Sequence, residues 1–347
     1  MAAAALLALS TCAMSASAFV IQSSPMHNLH RVASPPSLVS SSGRLHQIAM
    51  APRLHGRTNG HSLGVAMLAG AGASVVKHQQ SSPARLGPHI KIGKKGAILN
   101  PWGLWVLTYS MILAFAGYLY LKVRQALSFL FLGRLKPTAE HCCWIMHSWC
   151  KIVLSIGFSA PEVEGLENLP PKDETVLVAA NHMSWFDVPV LHGFLAGRLL
   201  WSFAKAELVK VPVLGTYMQT AEHILISRES RKSQLESLKS AIKTLSLSRN
   251  VFIFPEGTRS LDGKLRHFKG GAFTIARKSG VKIVPVTLIG NDVVFPANAL
   301  MPLCPGRGIM KMVVHPAIDP EGKTDEELME ETRVAIASAL PAEKVAS

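Results

Sequence analysis

The chain has 347 residues and a formal net charge of +14, a length that allows about two domains. The charge is unevenly placed: all 22 acids lie from Glu140 onward, whereas nine Lys and Arg fall within residues 1–100. Beyond that leader the chain is only mildly basic and has no stripe of Arg and Lys interleaved with aromatics, which speaks against a nucleic-acid partner.

Residues 1–18 have an apolar core followed by the small-residue run "SASA", the pattern of a cleaved signal peptide, although no charged n-region precedes it. Residues 19–95 are rich in Ser, His, Arg, Pro and Gly and contain no acid. That composition suits a disordered transit peptide and cannot bury a core. The junction "ASAFV" resembles the bipartite presequence of proteins sent to complex plastids, which implies a plastid membrane as the destination. A secretory or mitochondrial leader, with an endoplasmic reticulum membrane as the end point, is the alternative.

Residues 96–160 are expected to hold membrane-spanning or membrane-embedded helices. No charge occurs in 96–121, and "PWGLWVLTYSMILAFAGYLYL" supplies about 20 mostly apolar residues, enough to cross a bilayer. Trp102 and Trp105 stand at one end and Tyr118 and Tyr120 at the other, as interfacial belts require. Lys122 and Arg124 are expected to stop the span. A second greasy stretch, broken by Arg134, Lys136, Pro137 and Lys151, suits the interface. Cys143, His147 and Cys150 share a helical face, but no C-x-x-C pair supports a metal site, and buried reduced thiols are expected.

Over residues 161–342 short apolar runs alternate with amphipathic segments. Strands are predicted at 174–180, 199–204, 223–227, 250–255, 281–289 and 309–315. A helix with Ser230 as its cap is predicted over 230–247, and Thr324 with Glu327 forms a capping box for the last helix. Alternation of this kind gives an α/β domain with a mainly parallel sheet flanked by helices.

Four stretches in this domain carry chemistry. "NHMSWFD" (181–187) comes directly after the first strand. Residues five apart do not share a helix face, so His182 and Asp187 can meet only if His182 sits in the turn before a helix that Asp187 begins. Such a turn lies at a strand's carboxyl end, where α/β sheets bind ligands. There Asp187 would fix the tautomer, and the other ring nitrogen would accept a proton. "FPEGTRS" (254–260) presents Glu256 and Arg259 at another strand end; arginine suits a phosphate, and Gly257 lets backbone N–H groups approach an anion. The other two are "KAELVKVPVLG" (205–215) and "VPVTL" (284–288). No G-x-S-x-G elbow and no correctly spaced P-loop occurs.

In this order and spacing the four resemble the lysophosphatidate acyltransferases of the glycerolipid acyltransferase family. Asn181 to Asp187 matches its N-H-x4-D block. Lys205, Leu208, Pro212 and Gly215 match K-x2-L-x3-P-x2-G, Phe254 to Ser260 matches F-P-E-G-T-R-S, and Pro285 matches the fourth block. The resemblance covers about residues 161–318. It implies acyl transfer from coenzyme A or acyl carrier protein to the 2-hydroxyl of lysophosphatidate in a bilayer, with no further cofactor and no metal. His182 would be the general base and Asp187 its orienting partner. Lys205, Glu256, Gly257, Thr258, Arg259 and Pro285 would bind substrate, with Arg259 on the phosphate and Glu256 near the glycerol. Related acceptors (glycerol 3-phosphate or another lysophospholipid) and a non-catalytic scaffold are the alternatives.

Overall fold

Strands that are apolar on both faces need cover on both sides, and this dictates the architecture. The computed structural model describes residues 90–92, 97–130, 138–226 and 231–345. The expected signal peptide, most of the expected transit peptide and the predicted cap Ser230 lie outside them.

A hairpin comes first: β1 (Ile90–Ile92) pairs antiparallel with β2 (Ala97–Leu99). Its first strand falls within the stretch read as leader. Helix α1 (Pro101–Leu130) is next, capped by Asn100, whose Oδ1 accepts from the Gly103 N–H at 2.6 Å. The helix continues past Lys122 and Arg124, the expected stop of the span, because charge ends an apolar run without interrupting backbone hydrogen bonds. Over Pro101–Ser128 it is long and apolar enough to cross a membrane by length and composition, with 17% of its most apolar stretch buried. Leu104, Ile112, Phe115 and Leu119 are all exposed along it. Helix α2 (Ala139–Ile156) starts at Thr138, whose hydroxyl accepts from the His141 N–H, and it exposes Trp144, Ile152 and Ile156. Cys142, Cys143 and Cys150 are buried and unpaired, and His147 Nδ1 lies 2.5 Å from the carbonyl oxygen of His192.

The remaining strands form one sheet: β3 (Glu162–Glu164), β4 (Val176–Ala180), β5 (Leu200–Lys205), β6 (Ile224–Ile226), β7 (Asn250–Ile253), β8 (Lys282–Ile289) and β9 (Lys311–Val314). Their spatial order is β3-β9-β8-β4-β7-β5-β6, and every neighbouring pair is parallel except β8 with β9. Six strands were legible as apolar runs. The seventh, β3, was not, because Glu-Val-Glu shows no such run; pairing with β9 and the packing of Val163 on the core hold it in place.

Period-two alternation splits each central strand between two cores. The short helices α4 (Leu214–Thr220) and α7 (Asn291–Val294) lie in connections between strands, and Leu177 and Ala179 of β4 pack with helices α5 (Arg231–Ser246), α6 (Gly271–Ser279) and α8 (Asp325–Ser338), through residues such as Leu245, Phe273 and Ile336. Val176, Val178 and Ala180 pack on the other face with Leu154 of α2 and Val190 and Leu191 of α3 (Asp187–Phe194). Burying a residue of this size contributes about 1.5–3 kcal/mol. Gly193 of α3 makes the contact with α2 close, since a Cβ there would lie 3.0 Å from the Lys151 nitrogen. The capping box of α8 is complete, with Thr324 and Glu327 each bonding the other's backbone N–H.

Candidate active site

Three adjacent parallel strands, β7, β4 and β8, end at the same edge of the sheet, and each delivers a polar residue there just beyond its carboxyl end. This is where open α/β sheets place their ligands.

His182 sits two residues past β4, in the turn that leads into α3. Asp187 is the first residue of α3, as the five-residue spacing required. His182 Nδ1 lies 2.8 Å from Asp187 Oδ2, and the same oxygen accepts from the Met183 and Ser184 N–H groups at 2.7 Å each. Asp187 is wholly buried, and its other oxygen accepts from Asn291 Nδ2 at 2.9 Å. Nδ1 is thus committed to the carboxylate, which leaves Nε2 for proton transfer. The imidazole stacks on Phe254, with ring centroids 3.8 Å apart. Burial lowers the His182 pKa below its ordinary value, Asp187 pushes it back up, and Arg259 adds to the lowering. The ring therefore stays neutral, and able to accept a proton, through the physiological range.

Glu256 faces inward. One oxygen accepts from the His182 N–H at 2.7 Å and the other from the Arg266 N–H at 3.1 Å. Burial pushes its pKa up to about 7, against the pull of those two bonds. Both oxygens are occupied, so the residue shapes the turn that carries His182. Gly257 beside it has φ +73°, a conformation that glycine adopts without strain, and a Cβ there would lie 2.9 Å from Lys269 Nζ. Thr258 and Glu256 open onto a cleft of about 1100 Å³. Ser260 ties the loop to the base: its N–H donates to the His182 carbonyl at 2.8 Å.

Arg259 lies with its guanidinium carbon 3.4 Å from the centroid of the Trp185 ring, and the indole N–H is held by the Ala297 carbonyl at 3.1 Å. Its NH1 is buried without a hydrogen-bond partner among the described residues. Burial lowers its pKa to about 10, offset in part by Asp187, so it remains a cation. A half-buried guanidinium with a buried, unmet donor has the chemistry to bind an anion.

The other expected residues stand further off. Lys205 ends β5, which β7 separates from β4, so it lies roughly 10 Å across the sheet from the β4 axis. The rest of its block has a sharp turn: Val213 has φ +68° and ψ −62°, closed by the Leu214 N–H donating to the Pro212 carbonyl. That is a rare, strained γ-turn. Gly215 is needed after it, because a Cβ there would strike the Val209 carbonyl at 1.9 Å. Pro285 is buried in the middle of β8 opposite Ala179, not at the strand end.

Some residues here were not anticipated. Asn291 was missed entirely; its only sequence signal is a Gly-Asn step closing an apolar strand. Asn181 is structural: its amide bonds both the N–H and the carbonyl of Leu288 and locks β4 to β8. Ser184 Oγ donates to the Phe295 carbonyl and accepts from the Phe186 N–H, so it is no free nucleophile.

Comparison with known proteins finds similar chains. The model of the family described as Acyltransferase matches residues 160–289. A 1-acyl-sn-glycerol-3-phosphate acyltransferase of Chlamydomonas reinhardtii is 34% identical over 278 residues, covering 80% of this chain and 78% of the relative. A chloroplastic 1-acyl-sn-glycerol-3-phosphate acyltransferase of Arabidopsis thaliana is 34% identical over 57% of this chain, which spans 53% of that relative's length. The crystal structure of the 1-acyl-sn-glycerophosphate (LPA) acyltransferase of Thermotoga maritima superposes with a TM-score of 0.57 at 28% identity, covering 69% of this chain and 98% of that one.

Proposed function

The chain belongs to the 1-acyl-sn-glycerol-3-phosphate acyltransferase family and is an acyltransferase, and from that premise we propose that it acylates the 2-hydroxyl of lysophosphatidate to give phosphatidate in phospholipid synthesis. The observation that carries this reading is the half-buried His182 bonded to the buried Asp187, beside the unmet, buried NH1 of Arg259. An alcohol is a poor nucleophile at neutral pH, and a phosphate on the acceptor needs a paired cation.

In this mechanism the acceptor phosphate bonds Arg259, with Lys205 adding charge from the β5 end. The 2-hydroxyl then lies against His182 Nε2. The ring takes the hydroxyl proton as the oxygen attacks the thioester carbonyl, while Asp187 stabilises the imidazolium, the logic of a triad with the substrate hydroxyl in the serine's place. When the tetrahedral intermediate collapses, the C–S bond breaks, and the departing thiolate takes the proton back from the imidazolium. The donor is an acyl thioester of coenzyme A or acyl carrier protein. The exposed apolar sides of α1 and α2 suit a bilayer, from which lysophosphatidate comes and to which phosphatidate returns. The acid-free leader and the chloroplastic relatives favour a plastid membrane.

The direct test offers purified enzyme lysophosphatidate, glycerol 3-phosphate and lysophosphatidylcholine with each donor. Preference for either of the latter acceptors rejects the assignment. His182→Ala should reduce turnover at least ~10²-fold with little change in thermal unfolding; retention of more than about a tenth of the rate would remove His182 as the base. A fluorescent fusion of residues 1–95 should enter plastids, and its secretion would reject that destination.

A further inference from the structure

The segment from Lys264 to Lys269 reads Lys-Leu-Arg-His-Phe-Lys. Leu265 and Phe268 are buried at 2% and 1% exposure, while Lys264, Arg266, His267 and Lys269 are exposed. The two apolar anchors turn the cations outward on a fixed backbone. Three bonds fix it: Leu265 N–H to the Lys344 carbonyl at 2.7 Å, Arg266 N–H to Glu256 Oε2 at 3.1 Å, and Lys269 N–H to the Pro255 carbonyl at 2.9 Å. The segment rims the cleft of about 1100 Å³ onto which Glu256 and Thr258 open, and Arg333 of α8 also lines it. None of Lys264, Arg266, Lys269 and Arg333 enters a salt bridge among the described residues. The acids on the wall besides Glu256 are Asp262, which bonds the Ser260 hydroxyl and the Lys264 N–H, and Glu330.

Neither Arg259 nor His182 lines this cleft. The 254–260 loop therefore has two faces. One presents Arg259 and its unmet NH1, which the reading above assigns to the acceptor's single phosphate. The other borders the cleft, where residues 264–269 and α8 supply four permanent cations, more than the acceptor's one phosphate can use. The two faces are one carboxylate apart, since Glu256 joins the His182 backbone to that of Arg266. We propose that this basic cleft holds the anionic carrier end of the thioester donor, whose acyl carbon then reaches His182 over the loop.

The inference rests on the acyl-transfer reading above. The chemistry common to both donor sources is a phosphopantetheine thioester on a polyanionic carrier: a nucleotide in coenzyme A, an acidic protein surface in acyl carrier protein. A charged concavity raises the local concentration of such a ligand and its association rate about 10–10³-fold, with strong dependence on ionic strength. An anionic bilayer surface fits less well, because the cations surround a concavity and not a plane.

The test uses the full chain in detergent and the double variant Lys264→Gln/Arg333→Gln, which touches neither His182 nor Arg259. Equilibrium binding of free coenzyme A and of holo-acyl carrier protein is measured first, then two-substrate kinetics. The variant should bind carrier at least roughly tenfold more weakly at low salt. Its donor KM should rise in proportion, its lysophosphatidate KM should stay within about twofold of wild type, and its salt dependence should flatten. A loss confined to coenzyme A identifies the nucleotide, a loss confined to the protein donor identifies the acidic surface, and a loss for both identifies the shared phosphate. Unchanged binding of both, a rise in the acceptor KM alone, or lost binding to phosphatidylglycerol vesicles with donor constants intact overturns the proposal. Wild-type enzyme that binds carrier but leaves lysophosphatidate unacylated rejects the acceptor assignment alone.

Discussion

Asp187→Asn separates what the carboxylate does by position from what it does by charge. Asp187 Oδ2 accepts three bonds, from His182 Nδ1 and the Met183 and Ser184 N–H groups, and Oδ1 accepts one from Asn291. An asparagine can place its oxygen where Oδ2 stood, because an NH2 there would face two backbone donors. Its NH2 then meets Asn291, whose Oδ1 has no hydrogen-bond partner among the described residues and can accept once that amide rotates. The fold and the histidine tautomer should therefore survive. What is lost is the negative charge beside the imidazolium that forms in the transition state. Two unit charges about 4 Å apart interact by about 4 kcal/mol at an effective dielectric of ~20. Lost from the transition state alone, that is a ceiling of roughly 10³ in rate. Turnover should fall about 10²–10³-fold with KM for both substrates little changed. Asp187 acts on His182 only to raise its pKa, so removing the charge should shift the acidic limb of kcat/KM further down in pH. Steady-state kinetics across pH, with thermal unfolding as a control, measure both effects. A loss under tenfold, or an acidic limb that moves upward, would refute the argument. Adding Asn291→Ala removes the rescuing amide, so the double variant should also unfold at lower temperature.

In wild type the acidic limb of kcat/KM should have its midpoint below ~6.5, the ordinary histidine value, because burial disfavours the charged ring; a midpoint above that value would contradict the burial argument. Arg259→Ala should raise the lysophosphatidate KM roughly 10–150-fold, since a charged hydrogen bond contributes about 1.5–3 kcal/mol. Arg259→Lys should recover only part of that loss because an ammonium cannot reproduce the stack on Trp185, and a defect confined to the donor KM would reverse the assignment of the acceptor pocket. Glu256→Gln offers one acceptor oxygen to two N–H groups, so kcat should fall about 5–150-fold, from about 1–3 kcal/mol, with the acceptor KM unchanged. A selective rise in that KM would instead make Glu256 a substrate contact.

Local spacing was legible in the sequence wherever one element or one turn sufficed. The five-residue gap from His182 to Asp187 demanded a turn before a helix, and the structure has it. Thr324 and Glu327 announce their capping box because both partners lie within one helical turn. What spacing hides is direction. Glu256 reads the same in sequence whether it faces solvent or the His182 backbone. Asn291 is 104 residues from Asp187, and only the pairing of β8 with β4 brings the two together. The end of α1 is hidden for another reason: Lys122 and Arg124 end only the apolar character of the helix, and its backbone bonds run on past them.

That dependence on pairing gives Pro285 a different meaning from the one its block suggests. It lies mid-strand opposite Ala179, three residues before His182, with no N–H to give to a ladder. Its carbonyl accepts from the His315 N–H at 3.0 Å. On one side of it Ile283 bridges Ile318, and on the other Val286 pairs with Val314 of β9. The proline thus stands where the outer partner of β8 changes, and a missing donor there helps exclude other registers. A one-residue slip of β8 would turn its side chains to the opposite faces and carry Asn291 away from Asp187. Pro285 is better understood as a register pin that acts on the site through the sheet than as a surface that touches substrate.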